Sequence, residues 1–140
     1  MGFFSYDYRK SVIDQLVELL RRLNMRDETI GFYLRAMHVH TPIYLIIAMQ
    51  SCSLPVAILI LCALFTALVY FCLFDGCVLS KIEKKLDGKD ITIVDPFLEV
   101  LNYKKTKKNR MRFSFVLVAG YLTFMVLLFA LRFRKTFSPH

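Results

Sequence analysis

His38 and His40 are the pair of side chains whose type and spacing most directly suggest chemistry. Two histidines separated by one residue can share a metal ion on an extended backbone, but on a helix they point about 200° apart. No cysteine or carboxylate stands beside them to complete a ligand set. The sequence therefore disfavours metal binding, and we interpret both residues as packing near a membrane surface.

Other reactive residue types give no catalytic pattern either. The four cysteines have neither the spacing of a zinc site nor that of a disulfide framework, although acylation of Cys77 stays open. Asp75 precedes Gly76 and is predicted to end a helix rather than to relay protons. A Gly-rich phosphate loop, a nucleophile elbow and a carboxylate pair do not occur. We expect no enzymatic activity, no cofactor and no small-molecule substrate.

Two long uncharged runs dominate the chain, at residues 41–74 and 113–131. About 20 helical residues cross the roughly 30 Å hydrocarbon core of a bilayer. Because 140 residues cannot bury two such runs in a soluble core, the sequence predicts an integral membrane protein.

The first run is too long for one upright helix and contains Pro55, which disfavours helix just before it. We therefore predict a span over residues 54–74. Residues 41–49 ahead of it are expected to be interfacial, re-entrant or buried by a partner. The second span is predicted over residues 113–131.

Amphipathic helices are predicted outside the spans, at residues 11–24 with Ser11 as the cap, from Asp27 through Met37, and at residues 77–86. A turn at residues 87–90, an extended piece at 91–94 and a short helix starting at Asp95-Pro96 complete the connector. The expected fold is all-α, with two transmembrane helices. Its regions are an N-terminal part (1–40), the first apolar segment (41–74), a basic connector (75–112), the second span (113–131) and a basic tail (132–140).

The formal net charge of +8 is concentrated beside the spans. The connector residues predicted to contact lipid headgroups or acidic partners are Lys81, Lys84, Lys85, Lys104, Lys105, Lys107, Lys108, Arg110 and Arg112. Nucleic acid is disfavoured as a partner because Tyr103 alone could stack with bases there. The positive-inside rule favours a cytosolic connector. With two spans, both termini would lie on the other side.

Small residues repeat at a spacing of four within both spans. Ala63 with Ala67, and Ala119 with Thr123, form small-xxx-small pairs that let helices approach closely. We predict helix–helix packing at these positions.

Ten positions between residues 38 and 131 form a pattern that resembles small membrane proteins of large icosahedral double-stranded DNA viruses of the phycodnavirus type. They are His40, Cys77, Leu79, Ser80, Glu83, Leu86, Asp95, Pro96, Asn109 and Arg110. The resemblance implies a minor capsid component in the virion inner membrane beneath the capsid shell, with other capsid or membrane proteins as partners.

The expected function is structural, namely to brace or tether such a shell against the bilayer. Two alternatives stay open. One is a small oligomeric viroporin-like channel associating through Ala63 and Ala67, and the other is an accessory subunit of a membrane complex.

Overall fold

The computed structural model describes residues 5–88 and 92–137, and side chains as far as residue 134. These residues form helices joined by short turns, with no strand among them, which confirms the predicted all-α class. The six helices are α1 (Tyr6–Arg21), α2 (Asp27–Ser51), α3 (Leu54–Leu73), α4 (Val78–Asp87), α5 (Asp95–Val100) and α6 (Lys107–Phe137).

α1, residues 27–40 of α2, and α4 pack together into a unit that we call the headpiece. Its core consists of Val17, Ile30, Ile82 and Leu86. Ile82 and Leu86 lie one turn apart on α4, so the period of the apolar residues places both against α1 and α2. α2 approaches α4 closely at the buried Gly31, where an added Cβ would lie 3.4 Å from the Cβ of Asp87.

Two details of this region differ from the sequence prediction. α1 begins at Tyr6 rather than at Ser11, because nothing in the segment before Ser11 breaks a helix and Asp7 favours the positive end of the helix dipole. Residues 92–94 do not extend as predicted but turn into α5, and the predicted extended residue 91 lies outside the described residues, as do 89 and 90 of the turn. Gly88 ends α4 at φ +65°, a left-handed conformation that glycine adopts without strain.

Residues 41–51 of α2, together with α3 and α6, form a second unit that we call the apolar bundle. Met49, Ala57, Ile60 and Met125 are its buried core. The Tyr121 hydroxyl donates a 2.7 Å hydrogen bond to the Pro42 carbonyl, and Arg132 contacts the Met49 carbonyl. Since residue numbers rise together along both helices, α2 runs parallel to α6.

α2 and α3 form a hairpin. α3 runs antiparallel to α6, because Phe71 near its end packs on Phe115 near the start of α6. The helix breaks at Cys52 and Ser53, whose ψ angles of 163° and 162° are extended. This break, and the span from residue 54, were predicted from Pro55. Residues 41–49 continue α2 through Pro42 without interruption, and their interfacial, re-entrant or partner-buried placement stays a prediction.

α3 and α6 are long and apolar enough to cross a membrane. Only 17% of the most apolar part of α3 and 6% of that of α6 is buried within the chain. A core helix of a soluble protein would be mostly buried, whereas these helices present apolar side chains outward along their length. α6 exceeds the predicted span at both ends, since basic residues do not stop a helix.

The headpiece contradicts the predicted separation of the N-terminal region from the connector. α4 belongs to the connector, yet it packs on both α1 and α2. Arg35 of α2 pairs with Glu83 of α4, and Lys85 of α4 pairs with Asp14 of α1. Segments in such contact cannot lie on opposite faces of a bilayer. The prediction treated α3 as the first helix of the apolar bundle, whereas residues 41–51 of α2 also pack there.

Candidate functional site

A partly buried ion-pair network joins α2 to α4 in the headpiece, and the sequence did not predict it. Arg35 donates from Nε to Glu83 and from Nη2 to Asp87, the latter at 3.1 Å. Glu83 is only 4% exposed, so its carboxylate depends on this partner. The hydrogen bond with Glu83 is the main cause that raises the pKa of Arg35 above its usual value. The network fixes α2 against α4.

His38 and Cys77 form a second pair, where α2 meets the start of α4. The Cys77 Sγ lies 3.6 Å from His38 Nε2. Burial is the largest influence on the Cys77 thiol and raises its pKa, but the hydrogen bond and charge attraction of His38, together with hydrogen bonds from Ser80, bring the pKa below its ordinary value. The same hydrogen bond raises the pKa of His38, against the opposing effect of burial. Their contact thus shifts the pKa of each group toward its charged form.

The two histidines of the H-x-H motif are not brought together. His40 Nδ1 donates to the Ala36 carbonyl at 2.7 Å, whereas His38 turns toward Cys77. Within the described residues, no group of three or more His, Cys, Asp or Glu side chains could hold a metal ion.

Acidic and basic side chains meet just past the end of α3, where Asp75 adopts φ +57°. Arg9 of α1 approaches Asp75 at 3.9 Å, and Lys81 of α4 donates to the Phe74 carbonyl. Burial lowers the pKa of Lys81. Asp75 therefore stands just past the helix end, as predicted, and also contacts α1.

The connector is attached to α6 by a buried ion pair. Asp95, 4% exposed at the start of α5, accepts hydrogen bonds of 2.7 and 2.9 Å from Arg110. Burial by itself raises the pKa of Asp95, but hydrogen bonds from the Thr92 backbone and from Arg110 bring it below its usual range. Phe97 reinforces this junction by stacking on Phe113, with ring centroids 6.2 Å apart.

The apolar bundle is closed at its far end by Arg132. Its guanidinium donates to the carbonyls of Met49 and Cys52, which lie at the end of α2 and lack helical partners. It also lies 4.8 Å from the centre of the Phe133 ring. The side chain that was expected to stop the second span therefore holds the α2–α3 turn.

The nine predicted basic contact residues fall into two groups. Four have partners within the chain: Lys81, Lys85, Lys105 and Arg110. The second group consists of the exposed Lys84, Lys104, Lys107, Lys108 and Arg112, of which Lys84 also has an interaction within the chain. Contact of either group with lipid or an acidic partner stays a prediction.

The small residues predicted for helix packing do not line the core of the bundle. Ala63, Ala67 and Thr123 are exposed and Ala119 is half-buried. Their faces remain available to another helix, so packing there stays a prediction for contacts between molecules.

Comparison of the chain with protein-family models, with curated proteins and with solved structures found no match. The resemblance to viral membrane proteins therefore stays a prediction.

Proposed function

We propose that this chain is a membrane-anchored structural protein that holds its headpiece in a fixed position against a bilayer and docks other proteins there. In the form that the sequence resemblance implies, the docked proteins belong to a capsid shell over a virion inner membrane. The observation that carries the proposal is the continuity of α2, which passes from the headpiece core at Ile30 to the apolar bundle core at Met49 without a break.

A brace must transmit position from one partner to another, and a flexible linker would not do so. α2 spans about 37 Å as one helix of 25 residues. Arg35 fixes its first half to α4, and Arg132 fixes its last turn to α6. α2 is thus fixed in its first half and at its last turn. A tether between a membrane and a protein layer requires such a rigid connection.

The distribution of charge supports a cytosolic headpiece. Sixteen of the nineteen Lys and Arg residues lie in residues 1–112, and three lie in the tail after α6. Because the N-terminal region and the connector pack together, the positive-inside rule now applies to them jointly. The tail would then emerge on the opposite side.

Membrane anchoring is tested by a matched pair of substitutions. Phe65 is 60% exposed in the middle of α3 and Phe32 is 68% exposed on the headpiece. A charge at the centre of a spanning helix costs about 2.5–3.5 kcal/mol. We expect the unchanged chain and Phe32→Lys to stay in the pellet in alkaline carbonate, and Phe65→Lys to lower the fraction of chain that inserts during synthesis into membranes. Release of the unchanged chain in alkaline carbonate would contradict the anchor.

The docking role is tested by crosslinking mass spectrometry on membranes or particles that contain the native chain. Crosslinks from the headpiece to a shell protein support the brace. Crosslinks only between copies of this chain, with ion conductance in a planar bilayer, would instead support the channel. Crosslinks to a catalytic partner would support an accessory subunit.

The polar groups on the apolar helices favour the brace over the channel. The hydroxyls of Thr66 and Thr123 donate to the carbonyls of Cys62 and Ala119, four residues earlier on their own helices. Such bonds use the single hydroxyl donor of each threonine within its own helix, so that only the oxygen lone pairs could contact water in a pore.

A further inference from the structure

α5 and the turn after it present an apolar surface that the rest of the described chain does not cover. Val100 is 83% exposed, and Phe97, Leu101 and Tyr103 are each more than half exposed. The opposite side of α5 is buried through Leu98 and Asp95. The short helix is therefore anchored on one side and displays aromatic and aliphatic groups on the other.

The attachments of α5 set its height along α6. Asp95 is held by Arg110, and Phe97 stacks on Phe113. Phe113 is the first residue of the uncharged run of α6, and Arg110 lies one turn before it. The exposed surface of α5 thus lies level with the point where α6 becomes apolar, which is where a bilayer that holds α6 would have its surface.

Positive charge accompanies this surface. The two acids nearby are neutralised inside the chain, Asp95 by Arg110 and Glu99 by Lys105. Four further cations are exposed and pair with no carboxylate in the described part of the chain: Lys104, Lys107, Lys108 and Arg112. Apolar side chains with flanking cations at this height match the surface of a bilayer that contains anionic phospholipids.

We propose that residues 97–112 form an interfacial foot that binds anionic phospholipid. Phe97, Val100, Leu101 and Tyr103 enter the headgroup region, and the four exposed cations contact lipid phosphates. The proposal rests on the membrane anchoring of α3 and α6 and adds a second, peripheral contact with a defined lipid class. A bilayer is favoured over a protein partner because Phe97 of the foot stacks on Phe113, where the apolar run of α6 begins, and exposed cations flank this contact.

The absence of tryptophan from the sequence allows a direct test. Single-tryptophan variants are reconstituted in vesicles that contain lipids brominated at shallow or deep positions of the acyl chain. Val100→Trp reports on the foot, Phe65→Trp on the middle of α3, and Phe32→Trp on an exposed part of the headpiece near the start of α2. We expect shallow bromines to quench Val100→Trp, deep bromines to quench Phe65→Trp, and neither to quench Phe32→Trp.

Lipid class is tested in the same vesicles. With phosphatidylserine present, quenching of Val100→Trp should be strong; it should fall when phosphatidylcholine replaces phosphatidylserine, or when salt is added. Adding Lys107→Gln and Lys108→Gln should have the same effect, whereas Lys10→Gln on α1 should not. Quenching that ignores both phosphatidylserine and salt overturns the assignment to anionic lipid.

The outcomes separate the foot from the anchor. If Phe65→Trp is quenched and Val100→Trp is not, the foot is overturned and the anchor stands. If Phe65→Trp also escapes quenching, the proposed anchor is overturned as well. A blue-shifted but unquenched Val100→Trp would place the foot against protein, which also overturns the proposal.

Discussion

Replacing Arg35 with methionine should loosen α4 from α2. The substitution keeps much of the apolar stem but removes the guanidinium, so the Glu83 carboxylate, 4% exposed, loses its partner. Breaking a buried pair from one side costs about 3–5 kcal/mol. Since Arg35 itself is 36% exposed, we expect about 2 kcal/mol, or roughly a 30-fold rise in local opening.

Hydrogen exchange with mass spectrometry, on the chain reconstituted in lipid nanodiscs, measures this opening in peptides from α4. Arg21→Met is the matched control, because Arg21 pairs with Asp27 at 2.7 Å on the exposed surface, where such pairs contribute little. Adding Glu83→Met to Arg35→Met should restore most of the protection by removing the unpaired buried charge. Unchanged exchange in α4 of Arg35→Met, or equal loss in Arg21→Met, would refute the reasoning.

Three further predictions concern other junctions. Arg132→Met removes the charged donors from the carbonyls at the end of α2. Because hydrogen bonds to charged groups contribute about 1.5–3 kcal/mol, hydrogen exchange in the last turn of α2 should become about tenfold faster or more. Protection equal to wild type would contradict the role of Arg132 at this turn. In a chain with Cys77 as the only cysteine, alkylation should have its pH midpoint below the usual value near 8.5, and His38→Gln should raise it; a midpoint insensitive to His38 would exclude the pair. Because the folded pKa of Asp95 is lowered, its stabilisation is present above the ordinary pKa near 3.9 and is lost as the pH falls through the folded value. The emission of Val100→Trp should report that loss, and Asp95→Asn should abolish the dependence.

Local patterns were sufficient to predict where α3, α4 and the break before α3 lie. Pro55 stands in the first turn of α3, where its missing N–H has no helical partner to lose. Gly88, within the turn predicted at residues 87–90, ends α4. These helix bounds depend on residues within a turn or two of each other, so they can be predicted from the local sequence.

The course of α2 could not be predicted in this way. Pro42 removes one backbone hydrogen bond and normally disfavours a helix interior. In an apolar surrounding, however, leaving the helix would expose several more backbone groups without partners. The Pro42 carbonyl also accepts a hydrogen bond from Tyr121, 79 residues away. Such a contact decides between a helix and a break, and no local window of sequence reveals it.

The basic residues illustrate the same limit and also its consequence for function. From the sequence, nine of the ten connector cations were predicted to contact lipid or acidic partners. In the fold, Lys85 instead forms an ion pair with Asp14 of α1, and Arg110 forms one with Asp95 of α5. The exposed cations beside the apolar face of α5 lie just before and within the first turns of α6, at Lys104, Lys107, Lys108 and Arg112. Ion pairs between residues far apart in the sequence therefore leave one group of exposed cations beside α5, at the height where α6 becomes apolar.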